Sequence, residues 1–159
     1  MTLKEAVEYA SRKTTVHVGN PATPAEIKAA EARLGMSFPA DYVELLSLYG
    51  SLFVEEGEVL CGVSPGPEPF LDVTLDQLAS SDWAPASGIN AWPAGVLRIN
   101  EDGAFGYFVM LSSAYSDPCV YHADVEQVHV SPEDRIIDDL VLRRWADSLP
   151  AWIKEMADR

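Results

Sequence analysis

Positive charge is almost missing from the middle of this chain. Between Leu34 and Asp134, sixteen Asp and Glu residues stand against one cationic side chain, Arg98, a net charge of −15 over 101 residues. A surface of that sign repels nucleic acid and anionic membrane, so neither is expected as a partner, and it attracts basic protein. The acidity is regional, because up to Tyr49 six acids (Glu5, Glu8, Glu26, Glu31, Asp41, Glu44) are nearly balanced by five bases (Lys4, Arg12, Lys13, Lys28, Arg33). The plainer role for such a charge is to keep a small protein soluble and monomeric.

Cysteine is equally scarce. Cys61 and Cys119 lie in apolar, strand-like contexts with no Cys-x-x-Cys spacing, which argues against a disulfide scaffold or a zinc ribbon and favours buried thiols. No stretch approaches the roughly 20 apolar residues of a membrane helix. The segment from Met1 to Lys13 contains acids and no apolar core, so it does not read as a secretory signal and the expected location is cytoplasmic. With 159 residues, 48% of them apolar, the expectation is one domain spanning residues 1–159.

The parts of an enzyme are also missing. Ser80-Ser81 and Ser112-Ser113 lack the Gly-x-Ser-x-Gly elbow that exposes a nucleophile, and Gly62-Val63-Ser64-Pro65-Gly66 is broken by proline and followed by no Lys, unlike a phosphate loop. His122-Ala123-Asp124 with His129 could be drawn as a metal site. At strand periodicity, however, His122 and Asp124 share a face while His129 belongs to a loop or another strand. The sequence therefore predicts neither catalysis nor a metal or cofactor.

What is present is a set of helix signals followed by a change of period. Thr2-Leu3-Lys4-Glu5 has the form of a capping box, and Leu3, Val7 and Ala10 follow on one face. Thr23, Pro24 and Glu26 open a second helix whose stripe is Ile27, Ala30 and Leu34 and whose stop is Gly35. Pro39 opens a third, with Tyr42, Leu45, Leu46 and Tyr49 in register and Gly50 at its end. Beyond Gly50 come short apolar runs. Leu52 to Val54 and Val59 to Gly62 read as strands around Glu55-Glu56-Gly57-Glu58; Ser64 to Pro69, with three prolines in six residues, reads as a loop. Phe70 to Val73 reads as a short strand, and Thr74-Leu75-Asp76-Gln77 as a further capping box starting a helix that fades by Asp82.

Val96 to Ile99 and Phe105 to Leu111 read as a hairpin about Asn100-Glu101-Asp102-Gly103, the second strand apolar throughout and therefore central. Cys119 to His122 adds a strand. Asp147-Ser148 caps a last helix lined by Leu149, Trp152, Ile153 and Met156. Trp145 and Trp152 are expected to pack that helix on the sheet, and Trp92 to fill a gap at the sheet edge.

These landmarks resemble a family. The helix–Pro–helix opening from Leu34-Gly35 through Phe38-Pro39-Ala40-Asp41-Tyr42 to Tyr49-Gly50 is similar to the start of the SUKH superfamily, which includes the yeast cell-wall assembly regulator and bacterial immunity proteins. Leu60-Cys61-Gly62-Val63, Trp92-Pro93, Asn100-Glu101-Asp102-Gly103 with Tyr107-Phe108, and Trp145-Ala146-Asp147-Ser148-Leu149 with Trp152-Ile153 resemble its later motifs in the same order. The likeness covers roughly residues 23–156, with an N-terminal helix at 2–13 as an extra. Gly106 stands where many members carry an acidic or amide residue, and Leu149 where the closing motif usually has Phe.

The expected fold is α+β, a SUKH-like single domain in which N-terminal helices and a C-terminal helix pack on one side of a mainly antiparallel twisted sheet. The resemblance implies a protein that binds and neutralises a cognate protein toxin of a bacterial polymorphic toxin system, often a nuclease and hence basic. The other role it implies is a cytoplasmic regulatory or scaffold module. A monomer or weak homodimer is expected. The expected partner-binding residues are the turn acids Glu55, Glu56, Glu58, Glu101 and Asp102, with Asp72 and Asp76 on neighbouring elements and Trp83 as an aromatic anchor in a loop.

Overall fold

The helices begin where the side chains can satisfy orphan backbone donors. In α1 (Leu3–Lys13) the Thr2 hydroxyl accepts from the Glu5 N–H while the Glu5 carboxylate accepts from the Thr2 N–H. The same reciprocal pair opens α2 (Pro24–Leu34) at Thr23 and Glu26. Gly35, at φ 67°, closes α2 in a left-handed conformation that only glycine adopts without strain. Next comes α3 (Ala40–Leu48), whose buried Tyr42, Leu45 and Leu46 are the stripe that the 3.6-residue period predicts. The structure is a computed structural model that describes residues 1–80, 92–103, 105–124 and 130–159.

The strands divide between two sheets where the sequence suggested one. The smaller sheet joins β1 (Val16–Val18), β2 (Leu52–Val54) and β3 (Val59–Leu60) in that order, antiparallel, with Val18 opposite Leu52 and Phe53 opposite Val59. The larger sheet runs β4 (Val96–Asp102), β5 (Gly106–Leu111), β6 (Val120–Asp124), β8 (Leu140–Ala146) and β7 (Arg135–Ile137), again antiparallel throughout. A hydrogen bond from the Cys61 N–H to the Ile99 carbonyl, 3.0 Å, ties the end of the small sheet to β4. Every residue of β5 is buried, so it is an interior strand covered on both faces, although the middle position belongs to β6.

Four local expectations are corrected. Asn100, Glu101 and Asp102 are ladder residues of β4, opposite Phe108, Tyr107 and Gly106, and the turn proper is at Gly103 (φ 51°). A bulge between Arg98 and Asn100 shifts the register by one residue, and β4 runs on to Asp102. Phe105 consequently lies outside the ladder, 70% exposed. Pro69 to Leu71 form a 3-10 turn, not the start of a strand, because Pro69 cannot donate to a ladder and the Gly66 N–H is instead bonded to the Leu71 carbonyl. Trp145 stands on β8 and is 39% exposed, not a core residue, although its ring lies 5.2 Å from that of Phe108; Trp152 is the fully buried member of the pair.

The helices α1, α3 and α5 (Leu149–Ala157) pack against one another, and α5, capped by the Ser148 hydroxyl, lies against β8 of the large sheet and β2 of the small one. Trp152 is fully buried with its ring 4.5 Å from that of Phe108. A short helix, α4 (Leu75–Ala79), opened by the Thr74–Gln77 capping box, lies against β4 and α2. At Gly106 a Cβ would meet the Ala123 carbonyl oxygen at 1.9 Å, so glycine stands where β5 and β6 approach too closely for a side chain. Cys61 and Cys119 are both buried and unbridged. No described helix is long and apolar enough to cross a membrane.

Candidate functional site

The acids at the β2–β3 turn do not behave alike. The Glu55 N–H donates to the Thr15 carbonyl and the Gly57 N–H to that of Val54, which fixes the turn and leaves the Glu55 and Glu56 side chains exposed. Glu58 turns inward. Its Oε2 accepts a 2.7 Å hydrogen bond from Asn100 Nδ2, and burial pushes its carboxyl above the usual carboxylate range, with Asn100 opposing and nearby Asp102 adding. Glu58 and Asp102, 44 positions apart in sequence, thus come within electrostatic reach across the junction of the two sheets.

Asp102 Oδ2 also lies 3.2 Å from His122 Nε2, too poorly aligned for a linear hydrogen bond. The imidazole is 5% exposed, with its ring 4.8 Å from Phe108 and 5.6 Å from Trp145. Burial drives its pKa down, outweighing the pull of Asp102 and Asp124 upward. The ring is therefore neutral at physiological pH. His122 is a packed core histidine. The third histidine of the metal arrangement considered from sequence, His129, lies outside the described residues, and among those described no group of three His, Cys, Asp or Glu is placed to hold a metal ion.

On the other side of the junction the small sheet carries an aromatic cluster. The His17 ring stacks on Phe53 at 5.6 Å and meets Phe70 edge-on at 4.7 Å, and Phe53 and Phe70 are 5.2 Å apart. Two carboxylates flank the imidazole: Glu55 is 3.5 Å from Nε2 and Glu68 is 3.6 Å from Nδ1. Phe70 then forms one wall of a groove of about 280 Å3 whose other lining residues are Val59, Cys61, Val73, Leu78, Asn100, Glu101 and Gly103. The Cys61 thiol in that lining is pushed up to about 12, by burial first and Glu101 second, so it is an inert apolar surface and not a nucleophile.

Shared members make this one surface. Phe70 belongs to both the aromatic cluster and the groove, and Asn100 to both the groove and the Glu58–Asp102 contact. Of the acids expected to meet a partner, Glu55, Glu58, Glu101 and Asp102 border this surface, and exposed Asp72 sits between Phe70 and Val73 in sequence. Glu56 is exposed on the same turn at φ 66°. Asp76 is drawn elsewhere: both its oxygens accept from Arg33, at 3.2 and 3.0 Å, which fastens α4 to α2. Trp83 lies outside the described residues. Sequence reasoning missed Phe53, Glu68, Phe70 and Val73; apolar residues between acids in a proline-rich loop were the available signal.

A family model described as SMI1 / KNR4 family (SUKH-1) matches residues 21–155. The chain belongs to this family. No curated protein matches it. SUKH-1 proteins are generally non-catalytic immunity or regulatory proteins. In this SUKH-1 chain the matched span contains the whole of the groove and every acid on its rim, while α1 lies outside it.

Proposed function

We propose that the chain is an immunity protein that binds a basic protein toxin and neutralises it. The observation that carries this is the acid-bordered surface at the junction of the two sheets, where carboxylates from three segments of the sequence gather around an apolar groove with no Lys or Arg among the described residues of its lining. A nuclease toxin needs a basic surface for its own substrate. An acidic inhibitor covering that surface gains fast association through long-range attraction and excludes the substrate by occupying its site. Membership of the SUKH-1 family supports the coarser statement, that the chain acts by binding protein.

The test is co-expression with the variable C-terminal domain of a large secreted protein encoded beside this gene. The chain is expected to restore growth and to co-purify with that domain. Association should slow as salt rises from low to physiological levels, since the Debye length falls to about 8 Å there. Reversing Glu55, Glu56, Glu101 and Asp102 to Lys should abolish that salt dependence and weaken protection while the fold survives. A quadruple variant that associates at the wild-type rate with the same salt dependence would mean that the acidity serves solubility and the interface lies elsewhere. A gene with no such neighbour, in a regulatory operon, would favour the family's other role as a regulatory protein-binding module.

A further inference from the structure

The groove has a composition that charge attraction alone does not need. Phe70 and Val73 are 39% and 46% exposed, and they stand beside one cleft with buried Cys61 and Leu78 in its lining. Single exposed apolar residues are ordinary on a protein surface, whereas apolar residues bordering a concave site mark a place where apolar matter docks. At about 280 Å3 the cleft falls just below the roughly 300–1,000 Å3 of small-molecule sites. Its size suits one large side chain better than a cofactor.

The charges around it choose the neighbours of that side chain. Glu101 lines the cleft and exposed Asp72 is the chain neighbour of its wall residue Val73, and among the described residues neither carboxylate is in an ion pair with a cation. Glu68, next but one to Phe70 in sequence, is in no ion pair with Lys or Arg among the described residues and lies 3.6 Å from His17. A purely apolar ligand would leave these carboxylates partly desolvated and unpaired, which is unfavourable. We propose that the groove seats a Leu-, Met- or Phe-sized side chain that a partner polypeptide presents between Lys or Arg residues, the apolar group between Phe70 and Val73 and the cations on Glu101 and Asp72. The inference rests on the chain being a binder of basic protein and adds which part of that protein is gripped. A second copy of the chain could offer Arg143, Arg144 and Trp145, all exposed on β8. Two copies each of net charge −14 repel at long range, so the self-contact is the weaker candidate.

The test uses the full chain and three fluorescein-labelled synthetic nonapeptides: one with a central Leu flanked by Lys and Arg, one with Gly replacing that Leu, and one with Glu replacing the cations. Anisotropy titration and amide chemical-shift mapping are expected to show the Leu-centred basic peptide binding tightest, with shifts at Cys61, Val73 and Glu101. Phe70→Ala and Glu101→Lys should each weaken it roughly tenfold, the scale of an interface hot spot. Val73→Lys provides an exposed substitution should Phe70→Ala disturb folding through His17 and Phe53, and it is expected to block binding. The proposal is overturned if the Gly peptide binds as well as the Leu peptide, if the shifts map to α1 or β8, if none of the peptides binds at millimolar concentration, or if sedimentation shows a concentration-dependent dimer that Val73→Lys dissolves. Toxin protection retained by Val73→Lys would remove the groove from the interface while leaving the immunity role standing. Loss of toxin binding by the wild-type chain would remove the role itself.

Discussion

The two sheets use the same amino acids differently. In the large sheet every residue of β5 is buried and Phe108 meets Trp152, so its side chains are spent on packing. In the small sheet Phe53 and His17 are only half-buried, their companion Phe70 reaches solvent, and carboxylates stand where a core would have put aliphatic residues. The small sheet has a buried side too, since Leu52, Val54 and Leu60 are fully buried, and the function proposed above gives its exposed side to recognition. The small sheet is tied to the large one by the Cys61–Ile99 backbone bond and by the Glu58–Asn100 side-chain bond, which makes the junction the place where partner binding could be felt by the fold.

The sharpest test of that division is Trp152→Ala. Removing a fully buried aromatic that bridges α5 to β5 should destabilise by about 3–5 kcal/mol in chemical denaturation. Phe70→Ala, at the partly exposed aromatic of the 3-10 turn that packs on the small sheet, should destabilise by about 1 kcal/mol or less. Equal losses would erase the distinction between a packing region and a binding region.

A smaller effect is expected at the junction. The Tyr42 hydroxyl, fully buried on α3, donates to the Cys61 carbonyl and so anchors the floor of the groove to the helical layer. Burial holds its pKa well above that of an ordinary tyrosine, so it remains a donor into the alkaline range. Tyr42→Phe should lose about 1 kcal/mol, with hydrogen-exchange protection falling at Cys61 and in β2 and β3 and unchanged in β5. Uniform loss across both sheets would mean that they unfold as one unit and that the small sheet has no independent mobility to offer a partner.

How far the sequence carried this architecture depended on the range of each signal. Capping boxes at Thr2, Thr23 and Thr74 span four residues and competed with nothing, so those helices start where expected. The Asp102-Gly103 pair marked the hairpin, but its register was set by the bulge at Arg98 and the close approach of Gly106 to Ala123, both consequences of neighbouring strands. The three-residue strands β1 and β7 carry no readable period and exist because β2 and β8 supply their hydrogen bonds. The site was legible only in its acids. That Glu58 would pair with Asn100, that Asp76 would be claimed by Arg33, and that Phe70 would face outward are facts of the assembled fold.

The smallest effect separates the two uses of charge at the junction. Glu58 is held above the ordinary carboxylate pKa of 4.5 chiefly by burial. The folded state therefore keeps this proton at pH values where the unfolded chain has already released it, and stability contributed by the group falls as pH rises from about 4.5 through the folded value. Glu58→Gln preserves an acceptor for Asn100 and removes the titration. The variant should match the wild type near pH 4 and exceed it at pH 7 by ~0.5 kcal/mol or less, the scale of a half-exposed substitution, as read from denaturant midpoints at the two pH values. If the wild type is instead the more stable protein at pH 7, the pull of Asn100 and Arg159 on the charged carboxylate exceeds the effect of burial. Glu58 would then belong with the packed region and not with the acids that await a partner.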